Sequence, residues 1–284
     1  MKGAACFLIF ILAAAVAHAR VESEAEAAGL RGPVRSVTTE TTKFSRDKQQ
    51  FEEGIRQVTE QVSFNLLGMM TEKIDSLGHQ RFDHWYYKDG KLAGRTNLSN
   101  GSEYVYAYEK GKITKYFMTG RFGQLISRDV LSFDDDNRLV SLEYTCYTRR
   151  GCLGAVPKVV TFKYDGRGRL IEEVHHEVGG KPSRNMYGVH RYSTQYLDDE
   201  TKEVSAIRPD GTLISKARYK FDKKGYLREF IQFGSSLSSI AKTVYLDRDR
   251  HGNWTKCSSF KILQNEGKTI EEPTENKYRT ITYY

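Results

Sequence analysis

Hydrophobic and polar residues alternate with a period of two over short stretches, and the stretches are separated by glycine. Val58, Glu60, Val62 and Phe64 share one parity, as do Tyr104, Tyr106 and Tyr108, while Glu, Lys, Arg and Thr fill much of the opposite parity. This predicts half-buried strands with one wet face. Glycines at 68, 78, 90, 101, 111 and 123 lie 10 to 12 residues apart, the rhythm of a meander of short antiparallel strands. Arg20 to Gly29 is acidic and Ala-rich and reads as a tail or one short helix. Leu30 to Phe44 begins the sheet, and Ser45 to Gln57 reads as a polar connection.

One turn is written repeatedly. Its clearest copy, Tyr164-Asp165-Gly166-Arg167-Gly168-Arg169-Leu170, is echoed from Phe221 to Leu227, Phe133 to Leu139 and Phe64 to Met70. Shorter copies run from Tyr87 to Leu92 and Tyr108 to Ile113, and a degenerate one from Arg248 to Trp254. In the short form the two-residue loop Asp89-Gly90 suits a type I′ turn, so Lys88 faces Lys91 and Tyr87 faces Leu92. In the long form Gly168 takes the left-handed position, so Tyr164 faces Leu170. Asn137 replaces that glycine in one copy, and Asn also tolerates positive φ. Both forms deliver a cross-strand aromatic–aliphatic pair. The expected fold is all-β, an antiparallel meander of β-hairpin repeats forming an open, twisted, elongated sheet.

The pattern Tyr/Phe-Asp-x-x-Gly-x-Leu resembles the tyrosine-aspartate (YD) repeat family, related to rearrangement-hotspot (RHS) proteins, over roughly Phe64 to Trp254. The resemblance implies a bacterial exported or surface protein whose repeats wind into β-sheet. With seven or eight copies the repeats are too few to close the shell of that family, which is why an open sheet is expected.

Composition narrows the class. Of 284 residues 28% are charged and 39% hydrophobic, with 18 Tyr, 14 Phe and only 5 Pro, which excludes a disordered chain and disfavours a helical bundle. The net charge of +8 is interspersed with acids, so no nucleic-acid partner is expected. Lys2, the apolar run Ala4 to Val16 and Ala17-His18-Ala19 form an export signal. The domain reading is therefore a signal peptide over 1–19, a tail and entry strand over 20–45, and the repeat domain over 46–284. No membrane span is expected after cleavage, and the location is periplasmic or extracellular. In that compartment Cys146 and Cys152 suit a local disulfide, leaving Cys257 as a half-buried strand residue.

Candidate chemistry is sparse. His175 and His176 are adjacent and point to opposite faces, so with His190 they make no metal site. Asp134-Asp135-Asp136-Asn137 reads as a solvated turn, although calcium is conceivable there. No cofactor is implied. Crowded rings at Trp85, Tyr86, Tyr104, Tyr106 and Tyr108 are the candidate ligand-binding surface, a platform for a protein or glycan of the cell envelope. The main reading is a non-catalytic binding or structural module. One alternative is an envelope hydrolase using Cys152, His175 and His190. Another is an outer-membrane β-barrel, disfavoured because Lys73, Asp75, Arg81, Asp83 and Lys115 break the apolar runs.

Overall fold

A computed structural model describes residues 23–47, 50–88, 91–119, 123–148, 157–182, 188–233, 240–265 and 268–284. The chain enters through a single-turn helix, α1 (Glu24–Ala27), capped by Ser23, whose side chain accepts the Glu26 amide while Glu26 reaches back to the Ser23 amide. Nineteen strands follow among the described residues: β1 (Val34–Asp47), β2 (Gln50–Glu53), β3 (Gln57–Phe64), β4 (Met70–Asp75), β5 (Gln80–Lys88), β6 (Lys91–Asn97), β7 (Glu103–Glu109), β8 (Lys112–Met118), β9 (Leu125–Phe133), β10 (Leu139–Cys146), β11 (Lys158–Tyr164), β12 (Leu170–Glu177), β13 (Arg191–Tyr196), β14 (Thr201–Ile207), β15 (Leu213–Phe221), β16 (Leu227–Phe233), β17 (Ile240–Arg248), β18 (Trp254–Asn265) and β19 (Lys268–Tyr283). The segment expected to be a polar connection is instead the far end of β1 turning into β2, with Phe44 opposite Glu53.

The sheet is not open. From β3 to β19 every strand pairs antiparallel with the next, and β1 pairs with both β3 and β19. Setting aside β2, which pairs only with the end of β1, leaves 19 − 1 = 18 strands in a closed barrel. Eighteen strands spaced about 4.8 Å apart give a perimeter of roughly 86 Å. The expectation of an open sheet counted copies of the turn. Strands close a barrel, and each turn supplies two. The seam is long, with nine registered pairs from Val34↔Tyr283 to Lys43↔Glu275, and rich in β-branched residues such as Thr38, Thr39, Thr280 and Ile281. Closure also removes the unpaired backbone edges of an open sheet.

The repeat does what its pattern predicts. Tyr164 faces Leu170, Phe221 faces Leu227, Phe133 faces Leu139, Phe64 faces Met70 and Tyr87 faces Leu92. Gly168 has φ 75° and Asn137 φ 58°. Residues 89 and 90 lie outside the described residues, so the type I′ reading of that loop is left to the register of Lys88 with Lys91. The register shifts after each long turn, and this bulge rotates the aliphatic residue onto the aromatic's side. The repeat's aspartate has a role that the pattern did not reveal. The Asp165 carboxylate accepts the amides of Arg167 and Arg169, both at 2.9 Å, and binds the Arg169 guanidinium at 2.8 Å. Neighbouring hairpins are then stitched together: Tyr164 donates its hydroxyl to the Leu139 carbonyl, Tyr196 to that of Leu170, and Arg169 stands 3.9 Å over the Tyr196 ring.

All these turns lie at one end of the barrel, with the N-terminal segment and Tyr284. The opposite end carries the turns that join β4 to β5, β6 to β7 and β14 to β15. At the turn end the segment from Ser23 to Pro33 clasps the seam. Ala25 binds the Gly68 carbonyl, and Asn253 holds both the amide and the carbonyl of Arg31, at 2.7 and 2.8 Å. Ala25, Leu30, Val34, Val37, Phe64 and Met70 form the core beneath it.

Candidate functional site: the inward wall

Directly paired residues on neighbouring strands point to the same side, so one face can be followed round the whole barrel. From Val37 it passes through Val62, Lys73 and Arg81, then Trp85, Arg95, Tyr104, Phe117 and Ser127. It continues through Cys146, Val160, His175 and Tyr192 to Ala206, Ala217, Gln232 and Ala241, and through Cys257 and Lys277 to Ile281, the partner of Val37. Parity closes on itself. This face points inward: α1 packs on it, and Tyr106, Lys202, Tyr219, Tyr245, Cys257 and Arg279 are all enclosed by protein. The opposite parity is exposed at Gln61, His84, Arg128, Glu143, Lys163, Gln195, Lys220 and Thr280.

Trp85, Tyr104, Tyr106 and Tyr108 therefore share the inward wall, while Tyr86 points outward, its hydroxyl on Glu103 at 2.6 Å. Adjacent residues on a strand cannot serve one face, so the expected five-ring platform becomes four. Tyr86 sits against Gly94, where a side chain on residue 94 would collide with its ring. The inward rings are interleaved with cations. Arg95 stands 5.2 Å over Trp85 and 4.3 Å over Tyr104, Lys115 lies 4.6 Å from Tyr104, and Tyr104 stacks on Phe117 at 4.7 Å.

Carboxylates complete the wall, and the sequence pattern did not single them out as a site. The Asp83 side chain is fully buried, 2.6 Å from Arg81 and 3.7 Å from Arg95. Glu24 reaches in from α1, accepting the Met70 amide at 2.8 Å and Arg95 at 3.3 Å. Asp129 lies 3.6 Å from Lys115. Burial pushes Glu24 and Asp129 above the ordinary carboxylate range and Tyr106 up to about 12. Oδ2 of Asp83 is taken by the Arg81 ion pair, whereas its Oδ1, one Asp129 oxygen and the Arg81 and Arg95 Nε atoms lack hydrogen-bond partners. An enclosed wall with unfilled polar valences can take up a polar ligand or water.

The other candidates separate. Cys146 is disulfide-bonded, whereas Cys152 lies outside the described residues. Cys257 is free and 3% exposed, its thiol pushed up to about 11 by burial, so it is an inert interior residue. His175 points inward onto Glu173 at 2.8 Å, and His190 Nδ1 meets the His175 carbonyl at 2.8 Å. Among the described residues no group of three His, Cys, Asp or Glu side chains is placed to hold a metal. Asp134 is occupied by its own turn, taking the Asp136 and Arg138 amides and the Arg138 side chain.

No family model matches the chain, and no curated protein sequence is similar to it. Solved structures with the most similar layout include a porin-like protein from Bacteroides uniformis, at 10% identity and a TM-score of 0.47, covering 89% of this chain and 98% of that one. TcdB2-TccC3 matches at 10% identity and a TM-score of 0.35, over 80% of this chain. The Tc holotoxin pore of Photorhabdus luminescens matches at 11% and 0.32, over 79%. The chain spans 13% and 14% of those two toxin chains. At such identities and scores the reading of the wall rests on its own residues.

Proposed function

We propose that the protein is an exported, non-catalytic β-barrel of the bacterial cell envelope, built from YD-like hairpins, that binds a protein segment or glycan on its inward wall. The observation that carries this is the clustering of Trp85, Tyr104 and Tyr106 with Arg95, Lys115, Asp83 and Asp129 on one enclosed face. Rings supply stacking area, and the charged groups supply orientation. A glycan array and an envelope pull-down with Tyr104→Ala and Tyr106→Ala test it. Loss of the captured ligand supports the reading, and full retention by both variants sinks it.

A membrane-spanning barrel is the second reading, and closure brings it forward. An even number of antiparallel strands closed into a ring is a feature of outer-membrane barrels. The charges that counted against it, Lys73, Asp75, Arg81, Asp83 and Lys115, face inward, where such a barrel is polar, so that objection falls. The outward face supplies a better one. Glu203 binds Lys216 and Arg218, Glu229 binds Lys220 and Lys242, and Glu172 binds Lys163, all on the outside where lipid would lie. In addition β4 and β13 have six residues each, about 20 Å of strand, which after tilting falls short of a ~25 Å apolar band. Extraction decides between them: release by osmotic shock supports the envelope module, and a requirement for detergent supports the membrane barrel.

A further inference from the structure

At the tight-turn end, the turns ending at Glu200, Tyr226 and Gly252 line an open, solvent-facing cavity of about 540 Å³ that the inward wall does not account for. Five cations line it, Lys223, Lys224, Arg228, Arg248 and Arg250, against three acids, Glu200, Asp222 and Asp249. Two of those acids are already engaged by the turns. Asp222 accepts the Lys224 and Tyr226 amides, both at 2.9 Å, and Asp249 accepts the His251 and Asn253 amides and the Tyr283 hydroxyl. The cations are less occupied. Among the described residues no carboxylate lies within 4.0 Å of Lys223, Lys224, Arg228 or Arg250. Arg248 spends its guanidinium on the carbonyls of Gly252 and Leu227, and it retains its charge 4.9 Å from the Tyr226 ring, with Arg31 at 4.3 Å from the same ring. The repeat's aspartates thus work for the backbone, and the positive charge of the same turns is left facing a cavity.

We propose that this cavity binds a small phosphate-bearing polyanion. Lys223 and Lys224 act as mobile point charges, while the forked donors of Arg228 and Arg250 suit two phosphate oxygens at once. The volume suits a ligand of a few tens of atoms. Glu200, also in the lining, disfavours a second phosphate beside it and would accept a ligand hydroxyl. The phosphate can belong to a soluble ester or to a lipid headgroup, and the experiment separates the two.

Calorimetric titration of the full chain with pyrophosphate, at low and at high salt, is the primary test, alongside sedimentation with phosphatidylglycerol vesicles and with phosphatidylcholine vesicles as the neutral control. Lys224 and Arg228 are exposed, so Lys224→Ala/Arg228→Ala leaves the fold in place, which the melting temperature checks. Lys163→Ala, on the outward wall, is the control for diffuse charge. Pyrophosphate binding that falls with salt and weakens about ten-fold or more in the double variant, but not in Lys163→Ala, supports the site. Added binding to anionic vesicles, lost in the same variant, assigns it to a headgroup, and pyrophosphate binding alone assigns it to a soluble ester. Absence of both kinds of binding at millimolar pyrophosphate, or binding that the double variant leaves undiminished, overturns it.

Discussion

Along β13–β17 the inward positions carry Tyr192, Val204, Ala217, Tyr219, Phe230 and Tyr245, with Lys202 as a cation among them, 5.3 Å from the Tyr219 ring, whereas along β5–β9 the same parity carries Arg81, Asp83, Arg95, Tyr104, Lys115 and Asp129. The strands, turns and backbone pairing are alike. The first arc is filled as a core is filled, with Tyr219 and Phe230 rings 5.0 Å apart over Val204 and Ala217. The second places ionised groups where burial is costly, and leaves several of their atoms without hydrogen bonds. A barrel shaped for stability alone would repeat the first solution. The contrast separates an arc that holds the barrel together from an arc available to a ligand.

The largest effect is expected in the apolar arc. Tyr219→Ala removes a ring that is 9% exposed and should cost about 4 kcal/mol in urea unfolding. A loss below about 1 kcal/mol would mean that this arc is not the structural one. In the charged arc Arg95→Ala leaves the buried Asp83 with Arg81 alone and removes a partner of Glu24, for an expected loss of about 3 kcal/mol. The pair Asp83→Asn/Arg95→Met should recover most of that loss, because both buried charges then go together. Failure to recover would show that the arc's ions stabilise the fold.

The clasp joins the two arcs across the seam, and Asn253→Ala, which releases both backbone groups of Arg31, should cost about 1–2 kcal/mol. Titration sharpens the contrast further. Burial holds the folded pKa of Asp129 above its unfolded value, so its contribution is fully present below the ordinary aspartate range near about 4 and is lost as pH rises through the folded pKa. Asp129→Asn should therefore flatten part of the stability decline on going from acid to neutral pH. The turn aspartates have the opposite sign. Amides of Arg169 and Tyr226 hold Asp165 and Asp222 below their ordinary range, so their contribution is present above it and is lost as pH falls through the folded pKa. The smallest effect is local: Gly168→Ala, at φ 75° with only Arg138 Nη1 at 3.7 Å nearby, should cost about 1 kcal/mol of backbone strain and no packing.

Much of this architecture is legible from local chemistry. Tyr164 with Leu170, the left-handed Asn137 and the shared face of Tyr104, Tyr106 and Tyr108 all follow from turn geometry and a period of two. What is not local is not legible. Closure depends on β1 meeting β19, with Thr38 and Thr280 paired across 242 residues of chain (280 − 38), and no turn signature marks either edge. The direction of each face has the same limit. Lys73, Arg81 and Asp83 read as interruptions of an apolar run until the ring closes and turns them inward. Tyr86 is the reverse case, since its parity against Trp85 was available in the sequence and excluded it from a shared platform. Asp83 and Arg95 had a weak signal: charged residues on the parity of Trp85 and Tyr104 belong to the face of those rings.

The central claim is that the meander closes on itself with Thr38 and Thr280 side by side on the outer surface. The double substitution Thr38→Cys/Thr280→Cys, in a Cys257→Ser background to remove the thiol that is free among the described residues, tests that claim under mild oxidation. The closed barrel predicts near-complete formation of an intramolecular disulfide between the two introduced thiols in the folded monomer, and none when the same chain is oxidised in urea. Free thiols in the folded monomer, or disulfides formed only between chains, would contradict it.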